Sequence, residues 1–117
     1  MTIIVALPMP PSINSAYGNK KPGQPGKGRY KTRAYTDWVA AATAMLNLQK
    51  PGRITGDVKV EYLFGPRNRT ADVCNREKVL SDFLVSAGII EDDRFIVEAV
   101  IKWDDTIRGA CATVRAA

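Results

Sequence analysis

Five of the chain's seven prolines fall between residues 8 and 25, at Pro8, Pro10, Pro11, Pro22 and Pro25. Proline fixes its own φ and lacks a backbone donor, so neither a helix nor a strand ladder runs through such a stretch. Gly18, Gly23, Gly26 and Gly28 loosen the same segment. Residues 8–31 are therefore expected to form one long, mobile, basic loop, and a loop of that length is usually functional or disordered. Regular structure has to come from the short segment before it and from the residues after it. Ile3 to Leu7, an apolar run stopped by Pro8, reads as a strand buried on both faces.

Beyond the loop, two periodicities alternate. Tyr35, Trp38, Val39, Ala42, Met45 and Leu46 recur at helical spacing, predicting an amphipathic helix over about 33–49 that ends at Pro51-Gly52. Val58, Val60, Tyr62 and Phe64 alternate with Lys59, Glu61 and Leu63, a strand stopped by Gly65-Pro66. A second helix is expected over about 73–87, with Val73, Val79, Leu80, Phe83, Leu84 and Ala87 as its apolar stripe and Gly88 as its end. Phe95, Val97, Ala99, Ile101 and Trp103 then alternate as a strand. Residues 104–109 look like a hairpin turn into a last strand, 110–115. The order implies an α+β fold, a small mixed β-sheet with two helices. At 117 residues the chain suits a single domain spanning 1–117.

The chain has no histidine and only two cysteines, Cys74 and Cys111. Histidine-based nucleophile systems, histidine bases and tetrahedral zinc are thereby set aside, leaving carboxylates, lysines, hydroxyls or a hard metal ion to do any chemistry. No phosphate-loop pattern G-x-x-x-x-G-K-[ST] occurs, so no nucleotide cofactor is expected. No apolar run approaches the roughly 20 residues that span a bilayer, and two cysteines make no disulfide framework. A soluble cytoplasmic protein with no membrane partner is expected. The net charge of +5 is uneven: Lys20, Lys21, Lys27, Arg29, Lys31 and Arg33 precede the first acid, Asp37, whereas residues 37–117 hold 11 basic and 12 acidic side chains. That asymmetry points to a polyanion such as nucleic acid, the plain alternative being a solvated basic loop.

Two acidic clusters carry the candidate chemistry. On a regular helix, Asn75, Lys78 and Asp82 fall on one flank next to Asp72, beside a helix N-terminus that favours phosphate. The plainer reading makes Asp72 an N-cap and Lys78–Asp82 a surface pair. The turn Glu91-Asp92-Asp93 sets three like charges side by side, which calls for a bound cation or nearby Lys and Arg, unless it is simply an exposed polar turn.

Asp72-Val73-Cys74-Asn75-Arg76-Glu77-Lys78, then Asp82-Phe83-Leu84 and Ala87-Gly88-Ile89-Ile90-Glu91-Asp92-Asp93, resembles the central signature of the RusA family of Holliday junction resolvases: D-x-D-N-x-x-K, D-x-L, and A-G followed by D-D. Leu7-Pro8-Met9-Pro10-Pro11-Ser12-Ile13-Asn14 and Tyr17 resemble that family's opening, and Ala34-Tyr35 lies where the family has a similar segment. The resemblance implies a RusA-like, homodimeric endonuclease that cuts four-way DNA junctions by paired nicks with Mg²⁺, or Mn²⁺ in its place. It also implies that Asp72 and Asp93 are catalytic metal-binding residues and Lys78 the catalytic lysine, with Asp92 sharing the metal role. The family's second helix aspartate falls at Cys74, and a thiol is a poor ligand for a hard cation. Glu77, across the helix from Cys74, is the expected substitute. Junction DNA is expected to be held by Lys20, Lys21, Lys27, Arg29, Lys31, Arg33, Arg67, Arg69, Asn14 and Asn75. Two alternatives stand beside this reading: a junction-binding protein whose cleavage is weak or lost because of Cys74, and a different Mg²⁺-dependent phosphotransfer or RNA-acting enzyme.

Overall fold

A computed structural model describes residues 1–19 and 29–117. Its elements are β1 (Thr2–Leu7), α1 (Ile13–Ala16), β2 (Tyr17–Asn19), β3 (Arg29–Lys31), α2 (Arg33–Gln49), β4 (Val58–Gly65), α3 (Glu77–Ser86), β5 (Ile96–Trp103) and β6 (Gly109–Ala116). Two 3-10 turns, Val73–Arg76 and Asp93–Phe95, lead into α3 and β5. The expected α+β class with a mixed sheet is what the chain adopts. The main sheet has the order β1-β6-β4-β5, with β4 and β5 parallel and the other pairings antiparallel.

Three rows of side chains in register build the covered face of this sheet. Leu7, Ala110 and Phe64 form one row, Val5, Ala112 and Tyr62 the next, and Ile3, Val114 and Val60 the third. All nine are buried. The two alanines sit between large neighbours, leaving room for helix side chains to fill the trough, as close-packed interiors require. Trp38 and Leu46 of α2 and Leu80, Phe83 and Leu84 of α3 complete this core. The opposite face is far more open, with Ile4 at 65% exposure.

Four local expectations are corrected. Ile3–Leu7 is half-buried, alternating in and out, because it lies at a sheet edge with helices on one side only. Residues 8–31 are not a continuous loop: α1 and the β2–β3 hairpin lie within them. The prolines there act as anchors, since the carbonyl of Pro8 accepts from Trp38 Nε1 at 2.9 Å and that of Pro10 from Arg76 at 2.6 Å. The expected mobile basic stretch at Lys20, Lys21 and Lys27 lies outside the described residues. The second helix is shorter than its pattern, because residues 73–76 wind as a 3-10 turn before α3 begins at Glu77.

The fourth correction is topological. β5 and β6 are consecutive but do not pair as a hairpin, because β4 lies between them. The connection crosses the end of β4 at Gly65, where a Cβ would collide with the carbonyl oxygens of Asp104 and Ile107. Asp104 N donates to Phe64 O at 2.9 Å at this crossing. At the start of β6, Gly109 adopts φ +107°, and an added Cβ would stand 2.5 Å from Leu7 O, so both conformation and space call for glycine.

Candidate active site

Lys78 lies in the first turn of α3, and the chain brings two carboxylates to it. Asp82, one turn further on, places Oδ1 at 3.1 Å from Lys78 Nζ. Asp93, in the turn before β5, places Oδ2 at 3.8 Å. The Asp82 hydrogen bond, and then its charge, raise the pKa of Lys78 above its ordinary value, with Asp93 and Glu77 adding to the effect. The side chain is an ammonium throughout the neutral range. Lys78 is half exposed and Asp82 partly so, and an i, i+4 pair of this kind contributes only about 0.3–0.5 kcal/mol to stability. The pairing's consequence is to fix where the charge sits.

Asp82 is itself held from the other side. Tyr17 Oη donates to its Oδ2 at 2.8 Å. Burial first, then the hydrogen bond to Asp82, push the Tyr17 phenol far above the usual tyrosine range, so it remains a donor. The Tyr17 ring packs on Tyr35 with centroids 5.3 Å apart, and Tyr35 leads through Trp38 to Phe83 of α3. An aromatic row thus ties β2 and α2 to the helix that carries Lys78. Tyr17, Lys31, Tyr35, Asp82, Asp92 and Asp93 line an open concavity of about 310 Å³. A second one, of about 270 Å³, shares Tyr17 and Asp82 and contains Lys78.

Asp72 and Asn75 are not on this flank. They line a separate concavity of about 400 Å³ with Ser12, Asn68, Thr70 and Arg76. The expectation that Asp72, Asn75, Lys78 and Asp82 share one helix edge assumed a continuous α-helix. A 3-10 turn advances about 20° more per residue, so four residues of it swing the earlier side chains away. Asp72 Oδ1 accepts from Cys74 N at 3.0 Å, the capping role of the plainer reading.

The remaining acids each have a local partner. Glu91 accepts from Gly56 N at 3.0 Å, and Asp92 caps the turn before β5 by accepting from Arg94 N at 3.1 Å. That backbone bond is the main reason the carboxyl of Asp92 titrates below its ordinary range. Glu77 accepts from the buried hydroxyl of Ser81 at 2.6 Å. With its single proton given to Glu77, Ser81 receives a hydrogen bond from Tyr62, 2.8 Å away in the core. Glu77 is tied inward, towards the sheet.

The implied metal ligands Asp72, Glu77, Asp92 and Asp93 consequently do not converge. Among the described residues, no group of three or more carboxylates or thiols is placed to hold one ion. Magnesium, however, is commonly held by one or two carboxylates with water and substrate phosphate in its other positions. Asp92 and Asp93, adjacent on a solvent-facing turn, fit that donor number. Cys74 is exposed and has no place in such a set.

Of the expected DNA contacts among the described residues, Lys31 lines the site and Asn75 the separate concavity. Lys31 is exposed, with Nζ 5.4 Å above the Tyr35 ring, and lines the larger concavity beside Asp82. Arg33 forms a fully solvated pair with Asp37 at 3.6 Å. Arg67 and Arg69 are exposed in the segment after β4, Asn14 is exposed on α1, and Arg29 opens β3. The i, i+4 spacing gave the Lys78–Asp82 pair in advance, whereas the contact of Tyr17 with Asp82, 65 residues away, and the tether of Arg76 to Pro10 had no signal in the spacing.

A family model described as Endodeoxyribonuclease RusA matches residues 8–114. No curated protein matches the chain. Among the described residues, no helix is long and apolar enough to cross a membrane.

Proposed function

The chain belongs to the RusA endodeoxyribonuclease family, and from that premise we propose that it resolves four-way (Holliday) DNA junctions by paired nicks, acting as a homodimer with a divalent ion, Mg²⁺ or Mn²⁺. A two-fold assembly matches a junction with two equivalent strands to cut. The observation that supports this reading best is the Lys78 ammonium held between Asp82 and Asp93 at the edge of an open concavity.

An incoming phosphodiester brings negative charge to a site whose cation is already placed. Lys78 contacts a non-bridging oxygen and offsets the charge that grows there in the transition state. Because its pKa is raised, it donates a hydrogen bond without giving up its proton. Tyr17 and Asp82 keep the ammonium pointed at the phosphate. Asp93, with Asp92, would hold the ion, which when bound supplies a water of lowered pKa as nucleophile. Lys31 and the other N-terminal cations hold the duplex arms through backbone phosphates, which gives affinity without sequence reading.

A second reading, binding without cutting, is favoured by the exposed Cys74 and by the lack of a three-donor group among the described residues. A labelled four-way junction incubated with the protein, with and without Mg²⁺ or Mn²⁺, separates the two. Paired nicks that depend on the ion and vanish in Asp93→Asn support resolution. Tight binding with no nicks in either ion, and nicks appearing in Cys74→Asp, supports the second reading and overturns the first.

A further inference from the structure

The β2–β3 hairpin turns its two faces to different surroundings. Its register sets Tyr17 opposite Lys31 and Gly18 opposite Tyr30, and successive side chains of a strand point to opposite sides. Tyr17 and Lys31 line the concavity beside Asp82 and Asp93. Tyr30 therefore faces away from it, across Gly18, where an added Cβ would meet the Tyr30 Cζ, Cε1 and Oη at 2.5–2.7 Å. The ring rests on the Gly18 backbone, and only glycine leaves room for it. The rest of the ring is open. Tyr30 is 48% exposed, and among the described residues its side chain has no hydrogen-bond or ring partner. Tyr17, Tyr35, Trp38 and Phe83, by contrast, pack on one another in the row that holds the hairpin to α3.

We propose that Tyr30 is a stacking platform for an unpaired base at the crossover of junction DNA. The family acts on DNA, and a base presents its face only where the stack is broken. Within a duplex a protein reaches base edges and backbone alone. The exchange point of a four-way junction is such a break. Every base has a π face, so stacking there gives affinity without sequence reading. The hairpin supplies both halves of the contact. Lys31, on the side of the concavity, offers its ammonium to a backbone phosphate, and Tyr30, one residue earlier, offers its ring to the base. A ring already fixed against Gly18 loses little freedom when a base settles on it, which favours binding. The plainer role of a ring laid over a strand glycine is to cover that strand's backbone. Such a cover requires an apolar side chain but no π face, and that difference separates the two roles.

The inference rests on the junction reading proposed above and adds a contact to it. A four-way junction carrying 5-iodouracil at each crossover position in turn tests it, because that base cross-links under ultraviolet light to an aromatic ring stacked on it. The full chain is bound with a chelator present and irradiated, and the cross-link is expected at Tyr30 by mass spectrometry of the digested chain. Tyr30→Leu keeps an apolar cover over Gly18 and removes the π face. It is expected to bind the junction about tenfold more weakly than the parent and a uniform duplex equally well. Tyr30→Phe keeps the π face and is expected to stay within about twofold of the parent on both. Circular dichroism and thermal melts establish that each variant is folded. The inference is overturned if no cross-link falls on Tyr30, if Tyr30→Leu binds the junction like the parent, if it loses junction and duplex equally, or if Tyr30→Phe is as weak as Tyr30→Leu. A parent that binds the junction no better than the duplex overturns the junction reading instead. A single-stranded oligonucleotide carrying the same base then decides the stacking: a cross-link at Tyr30 supports it, and none there overturns it.

Discussion

Lys78 shows how a small electrostatic energy is used for placement. Its two carboxylates contribute little to stability, yet they decide where the ammonium stands, and they raise a pKa that already keeps it charged at neutral pH. Asp82→Asn is therefore expected to change the melting free energy by under about 1 kcal/mol while lowering cleavage, because the ammonium loses its nearer anchor. Lys78→Ala is expected to cost about a hundredfold or more in the nicking rate, the scale of removing one donor to a developing oxyanion. Lys78→Arg should recover part of it. The pH dependence follows from the sign of the shift. The pKa of Lys78 is raised in the folded chain, so its pairing is fully present below the ordinary lysine value near 10.5 and is lost only as pH rises through the higher folded value. A nicking-rate profile should then show no lysine limb below about pH 10. A limb near pH 8 that disappears in Lys78→Arg would mean that the lysine works as a neutral base.

Between elements, the contact that fixes α3 on the sheet with polar chemistry is Tyr62–Ser81–Glu77. Tyr62 is fully buried, and its hydroxyl has Ser81 as its partner, so Ser81→Ala leaves a buried donor unmet. The expected cost is about 1–3 kcal/mol, seen as a lowered urea midpoint. Adding Tyr62→Phe in the same chain should recover much of it, since the unmet hydroxyl is then gone. Additive losses in that double variant would show that the hydrogen bond is not what joins the helix to the sheet. The same network holds Glu77 towards the core through Ser81. The 3-10 turn before α3 has a comparable effect on Asp72. An element boundary displaced by one turn moves a carboxylate to another concavity.

For the whole molecule, charge distribution is the property that bears on DNA. The positive excess lies before Asp37, and of its described cations Lys31 lines the concavity beside Asp82 and Asp93. If about six phosphates are neutralised, junction affinity should fall by roughly 10³-fold between about 50 and 200 mM salt. A slope near zero in log affinity against log salt would remove the basic segment from the binding surface. The class of fold, the span of α2, the strand at 58–64 and the family were legible in the sequence. Those features follow from local periodicity and from the collinear motifs. Tyr17 against Asp82, the placing of Asp72 and Asp93 in different concavities, and the crossing of β4 by the β5–β6 connection were not legible. Each depends on which surfaces meet once side chains pack. A residue's neighbours in sequence fix its backbone preferences, whereas its partners across the fold are selected by the shared burial of the whole core.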